Sequence, residues 1–155
     1  MSPAAPELGL AAPDFTLRDQ HGEAVSLAAL RGRPVVLVFF PWAFSGICTN
    51  ELTALQQDLA HYEAAGAQVL ALSCDPMFTL RAFADQQGLT FDLLSDHWPH
   101  GAVAQSYGVF DPEVGVARRG SFVLDADGVV VWRVLNGIGE ARDIAAHLQA
   151  LSPTS

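Results

Sequence analysis

Residues 35–40 read Val-Val-Leu-Val-Phe-Phe, an unbroken β-branched and aromatic run that Pro41 stops. No polar residue alternates within it, so both faces of its strand must be buried. That is the position of a central strand in an α/β sheet covered by helices. Gln68–Ser73 reads as a second buried strand. Between the two, Leu52, Leu55, Leu59 and Tyr62 recur at helical spacing toward a stop at Gly66. A right-handed crossover then sets the two strands parallel and adjacent.

The remaining segments fit around this unit. Phe15–Leu17 and Ala24–Leu27 read as short strands about the turn Asp19-Gln20-His21-Gly22. Asp75-Pro76 opens a helix that carries Leu80, Phe83 and Ala84 to Gly88. Phe91–Leu94 is a short strand, followed by a short helix through Tyr107. Gly120–Leu124 and Val129–Leu135 form a hairpin about Asp125-Ala126-Asp127-Gly128, and Ala141–Leu151 is a closing amphipathic helix. The order predicts an α/β, thioredoxin-like plan with a mixed central sheet, helices on both faces and an N-terminal strand pair. A chain of 155 residues supports one domain, residues 1–155, with residues 1–9 a loose leader.

Charge narrows the function classes. Eight arginines and no lysine stand against 17 acids, a net charge of −9, and no basic run offsets it. Such a surface repels nucleic acid and anionic membranes. No apolar run approaches the ~18 residues of a membrane helix, and the first dozen residues carry neither the basic start nor the apolar stretch of an export signal. The expected compartment is the cytoplasm, where Cys48 and Cys74 stay reduced.

Ligand and active sites of open α/β sheets lie beyond the carboxyl ends of the strands. Cys48 falls in such a place, between the first buried strand and the start of its helix, where free amides and the positive dipole end favour a thiolate over a thiol. That alone is not enough. For any cysteine, a pKa drop from ~8.5 to ~6 raises the thiolate fraction at pH 7 about 30-fold but lowers nucleophilicity roughly tenfold. A fast thiol enzyme also needs donors aimed at the bond being broken. Ser45, three residues before the sulfur, and nearby amides are candidates, with a distant arginine to complete the set. Glu51 is positioned to cap the helix start, or else is a solvated helix acid. A CxxC reductase is excluded, because Ser45 stands where its first cysteine would be.

The segment Phe39-Phe40-Pro41-Trp42-Ala43-Phe44-Ser45-Gly46-Ile47-Cys48-x-x-Glu51 resembles the Pro-x-x-x-Thr/Ser-x-x-Cys motif of peroxiredoxins. Leu94–Gly101 and Arg118–Val123 resemble two further family segments, in the same order. The likeness runs from about Leu10 to Leu151 and is nearest to the AhpE-type, one-cysteine peroxiredoxins of actinobacteria. By resemblance, Cys48 is the peroxidatic cysteine, Pro41 shields it, Ser45 hydrogen-bonds the peroxide and Arg119 sits against the sulfur, with Arg118 the competing choice. Ser45 replaces the commoner Thr, keeping the hydroxyl but losing the methyl that limits its rotamers.

The resemblance also implies a thiol peroxidase acting on hydrogen peroxide, organic hydroperoxides and peroxynitrite through a sulfenic acid. It implies a homodimer with Trp98 at the contact or at the rim of the site. The donor would be mycothiol with a mycoredoxin, or thioredoxin. No metal, haem or flavin is called for. Asp96, His97 and His100 read as loop hydrogen-bonders rather than metal ligands. Cys74 ends the strand beside the one feeding Cys48 and is either a resolving cysteine or a small buried residue; family resolving cysteines stand elsewhere, as at position 53, which is Thr here. A peroxide sensor or redox relay on the same fold, and a thioredoxin-like binding module with an unreactive Cys48, are the alternatives.

Overall fold

The computed structural model describes residues 5–151. Its main sheet has seven strands in the order β2-β1-β5-β4-β3-β8-β9, and β6 and β7 form a separate pair. The strands are β1 (Thr16–Arg18), β2 (Ala24–Ser26), β3 (Val35–Phe39), β4 (Gln68–Ser73), β5 (Asp92–Ser95), β6 (Phe110–Asp111), β7 (Val116–Ala117), β8 (Arg119–Leu124) and β9 (Val130–Asn136). The helices are α1 (Gly46–Gln57), α2 (Leu59–Ala64), α3 (Met77–Gln87), α4 (Ala102–Ser106) and α5 (Ala145–Leu151).

The buried run of β3 is the centre of the sheet, parallel to β4 on one side and antiparallel to β8 on the other. Its alternation divides the core. Val36, Val38 and Phe40 pack under α1, α2, α3 and α5, whereas Val35, Leu37 and Phe39 pack under α4 and the N-terminal segment. β4 and β5 are also parallel, and the N-terminal pair joins the sheet antiparallel through Arg18 and Ser95. The mixed sheet with helices on both faces is the thioredoxin-like plan.

Four details depart from the sequence reading. The helix expected to run on to Gly66 is two helices, because the chain tightens at Asp58, whose N–H is shared between the Ala54 and Leu55 carbonyls at 3.2 Å. The pair β6–β7 was not expected, since two-residue strands carry no periodicity. The closing helix begins at Ala145 rather than Ala141, after Asp143, whose Oδ1 receives the Ala145 N–H at 3.1 Å. The loose leader is not loose where it can be seen: Gly9 N–H donates to the Val130 carbonyl at 2.8 Å, and Arg133 donates to the carbonyls of Ala5 and Pro6. Residues 1–4 of that leader lie outside the described residues.

Candidate active site

Pro41 ends β3 because it has no N–H to offer the ladder, and it is buried. The chain then makes a tight loop to Ser45. Phe44 adopts φ +70°, a left-handed conformation that side chains other than glycine rarely take. Ser45 is extended and heads α1, its carbonyl receiving both the Thr49 N–H (2.9 Å) and the Thr49 hydroxyl (2.7 Å). Its own hydroxyl donates to the Trp42 carbonyl at 3.0 Å. Cys48 therefore lies in the first turn of α1, fully buried against the sheet.

The arginine comes from β8. Strand alternation turns Phe122 and Leu124 to the α4 face and Val123 to the α1 face, so Arg119 and Ser121 share the face of Cys48. Arg119 Nη1 lies 3.2 Å from Cys48 Sγ and 2.6 Å from Glu51 Oε1, while its Nε donates to the Ile138 carbonyl at 2.7 Å. The side chain is only 2% exposed. Arg118 is turned outward, 48% exposed, with Asp111 at 3.9 Å.

Glu51 is neither a helix cap nor a solvated acid. It lies too far into α1 to reach the free amides at the start, and α1 packing directs it inward, where it is 5% exposed between two arginines. The second, Arg142, is a residue the sequence reading passed over. Its backbone N–H and Nε donate to Glu51 Oε2 at 2.8 and 3.1 Å, and Nη2 donates to Oε1 at 3.1 Å. Its Nη1 holds the Gly120 carbonyl and the Ser121 hydroxyl, both at 2.9 Å. Residues 141–144 dock on Glu51 as a clasp through the Arg142 amide and side chain, and α5 starts after them, where Asp143 Oδ1 receives the Ala145 N–H at 3.1 Å. Burial pushes the Glu51 carboxyl up, but the hydrogen bonds and charge of Arg142, then the charge of Arg119, outweigh it and hold the group below its ordinary value. The result is an ionised carboxylate aiming one guanidinium at sulfur and locked by another.

Cys74 is not brought to Cys48. Leu70 and Leu72 of β4 face the α4 layer, and Cys74 continues that alternation toward the Ala117 backbone, whereas Cys48 packs in the opposite layer. Burial first, and then the charges of Asp96 and Asp75, push the Cys74 thiol up to about 12. Trp98 is 82% exposed and, with Leu17, Pro76, Met77 and Phe78, lines an open groove of about 540 Å³ between β1 and the start of α3. Asp96 accepts the Val103 and Ala104 amides at the head of α4; His97 contacts the Cys74 carbonyl and His100 that of Gly115.

Behind the clasp lies His147, fully buried on α5. Its Nδ1 is 3.3 Å from the Tyr62 hydroxyl, its Nε2 has no hydrogen-bond partner among the described residues, and the Trp132 ring meets it edge-on at 5.5 Å. Burial, reinforced by the Arg142 charge, lowers its pKa from 6.5 to about 4. The unfolded chain therefore binds a proton that the folded chain refuses between those values, so stability falls as pH drops from about 6.5 toward 4. The loss from this group by pH 4.5 should be about 2 kcal/mol. Urea titrations at pH 7 and 4.5 should show that difference shrink in His147→Gln, which cannot titrate; an equal loss in both proteins would refute the assignment. Glu51 has the lowered value typical of a paired carboxylate, and its contribution is lost further down, below about 4.5.

Comparison with known proteins identifies the family. The AhpC/TSA family model matches residues 8–133. The chain is 47% identical over 146 residues to a Mycobacterium tuberculosis alkyl hydroperoxide reductase E, covering 94% of this chain and 95% of that protein. It is 37% identical to a chloroplastic peroxiredoxin Q of Oryza sativa over 92% of this chain and 65% of that one. The crystal structure of Mycobacterium tuberculosis peroxidoxin BcpB superposes with a TM-score of 0.83 at 29% identity, covering 94% and 96% of the two chains. Enterococcus faecalis AhpC gives 0.87 at 26% identity, covering 94% and 90%. On the matched length, the relatives and the shared fold, this chain belongs to the AhpC/TSA family and is a peroxiredoxin, a peroxidase of the oxidoreductase class.

Proposed function

We propose that Cys48 is the peroxidatic cysteine of a one-cysteine peroxidase. The observation that carries this reading is the 3.2 Å contact between Arg119 Nη1 and Cys48 Sγ, with Glu51 holding the same nitrogen. The Cys48 thiolate attacks the outer oxygen of a hydroperoxide and the O–O bond breaks. Sulfur is oxidised to the sulfenic acid, and the departing oxygen takes a proton to leave as water or an alcohol, or leaves as nitrite when the substrate is peroxynitrite. Arg119 stabilises the thiolate and the charge that develops on the oxygens. Ser45, by rotating its hydroxyl from the Trp42 carbonyl, binds the peroxide, and Pro41 keeps water from the sulfur. The substrates are hydrogen peroxide, organic hydroperoxides and peroxynitrite.

An outside thiol then attacks the sulfenic sulfur, releasing water and leaving a mixed disulfide that a second thiol reduces. The donor proposed is mycothiol with a mycoredoxin, and thioredoxin is its competitor. Two features support an outside donor: strand alternation turns Cys74 to the face of Leu70 and Leu72, opposite Cys48, and it resists forming the thiolate a resolving cysteine needs. Intact mass spectrometry after one equivalent of peroxide should find one added oxygen. The loss of two hydrogens within seconds, with Cys74→Ser losing thioredoxin-dependent turnover, would overturn the one-cysteine mechanism and leave the peroxidase standing.

Two free cysteines suit the cytoplasm, and no described helix is long and apolar enough to cross a membrane. The assembly proposed is a homodimer packed through the loops around the site. Trp98 and Phe78, 82% and 73% exposed beside one another, supply its apolar contact. Sedimentation as a monomer at micromolar concentration would contradict it.

A further inference from the structure

The loop that carries Ser45 needs an anchor, because Phe44 is held in a left-handed conformation, at φ +70°, that a residue with a side chain resists. Within the loop, the Trp42 carbonyl gathers the Ser45 N–H (3.4 Å) and hydroxyl (3.0 Å). Among the described residues, the hydrogen bond that ties residues 42–45 to the sheet comes from Asp75, just past the end of β4. Its Oδ2 accepts the Ala43 N–H at 2.9 Å and the Ser73 hydroxyl at 2.7 Å, and Ser73 Oγ in turn receives the Asp75 N–H at 3.2 Å. The Ser95 hydroxyl fixes the Asp75 carbonyl at 2.7 Å. Ser73 of β4 thus pins the carboxylate and Ser95 of β5 pins the backbone of Asp75, and Oδ2 is presented to the loop. The Phe44 ring, edge-on to Phe83 at 5.1 Å, settles the next residue.

We infer that Asp75 is a positioning residue for the peroxidatic reaction, acting through the Ala43 amide to hold the Phe44 turn and so the Ser45 hydroxyl over Cys48. The inference rests on the reading of Cys48 given above. The carboxylate works here as a hydrogen-bond acceptor and not as a charge. A negative group near sulfur would oppose the thiolate, so a role through charge predicts that its removal speeds the reaction.

The test is the second-order rate of Cys48 oxidation by hydrogen peroxide, read from Trp42 and Trp98 fluorescence at pH 7. Asp75→Ala should lose about tenfold or more, as expected when a reacting group is displaced. Asp75→Asn, which keeps an acceptor oxygen, should return to within about threefold of the parent protein. In a Ser45→Ala background, Asp75→Ala should cost less than about threefold, because two residues acting through one contact are not additive. A merely structural role predicts the same loss in both backgrounds and no rescue by Asn. Should Asp75→Ala fail to fold, Ser73→Ala replaces it, with about a threefold loss expected; no loss there overturns the inference. Equal rates for Asp75→Ala and the parent protein, an Asn variant as slow as the Ala variant, or an Asn variant faster than the parent each overturn it too. Failure of the parent protein to react with peroxide overturns the peroxidase reading and this inference together, whereas a fast parent with an unaffected Asp75→Ala removes this inference alone.

Discussion

Cys48→Ser should abolish peroxide reduction and leave the fold intact. Serine is close to cysteine in size, and the fully buried site at the start of α1 asks the side chain to fill space between α1 and the sheet. The hydroxyl of serine does not ionise in the neutral range and cannot be oxidised to a sulfenic acid, so the chemistry is lost with the sulfur. No background should come from the remaining thiol. Cys74 is pushed up to about 12, and alternation along β4 turns it to the face of Leu70 and Leu72, opposite the one on which Cys48 packs. Turnover with hydrogen peroxide and a thiol donor, beside a circular dichroism spectrum and melting curve, measures both halves of the expectation. Turnover retained in Cys48→Ser, with Cys74 present, would end the proposal for Cys48.

The sheet was legible because burial writes itself into residue type. The β3 run could only be central, Pro41 had to end it, and Gly66, at φ +76°, does mark the stop after the helical stretch. The position of Arg119 was legible through the motif, and strand alternation explains it: its neighbour on the other side of the pleat is exposed. Glu51 was misjudged because a carboxylate early in a helix looks like a cap from spacing alone, and what turns it inward is a pair of arginines 68 and 91 residues away in sequence. Arg142 carried no local signal at all. In Gly139-Glu140-Ala141-Arg142-Asp143 it reads as one polar residue among others, and only the docking of residues 141–144 against α1 makes it a core residue. α5 starts just after that docked stretch, where the Asp143 side chain receives the Ala145 amide, a cap that helical spacing from Ala141 does not reveal. Asp75 was read as part of a helix start; its link to Ala43 joins the ends of two parallel strands, which periodicity does not reveal.

Arg119→Ala should slow the reaction of Cys48 with peroxide by roughly 30- to 1,000-fold, the ~2–4 kcal/mol lost with one charge-assisted donor in a buried site. The loss has two sources. Nη1 leaves the sulfur, so the attacking atom loses its buried donor, and the breaking O–O bond loses its cationic partner. Stability should suffer less than the burial of an arginine suggests, because Glu51 keeps three hydrogen bonds from Arg142 and is not left as an unpaired buried charge. Arg119→Lys separates charge from geometry. A single ammonium keeps the positive charge but cannot reproduce a planar fork that holds the Ile138 carbonyl through Nε while Nη1 spans Cys48 and Glu51, so it should recover only part of the rate. Arg118→Ala is the control: half exposed, with only a 3.9 Å contact to Asp111, it should leave the rate within about twofold. Rapid-mixing measurements on all three variants decide the assignment. If Arg118→Ala is the damaging change, or if Arg119→Ala reacts at the parent rate, the 3.2 Å contact between Arg119 and Cys48 is packing without catalysis and the proposed mechanism fails at its central residue.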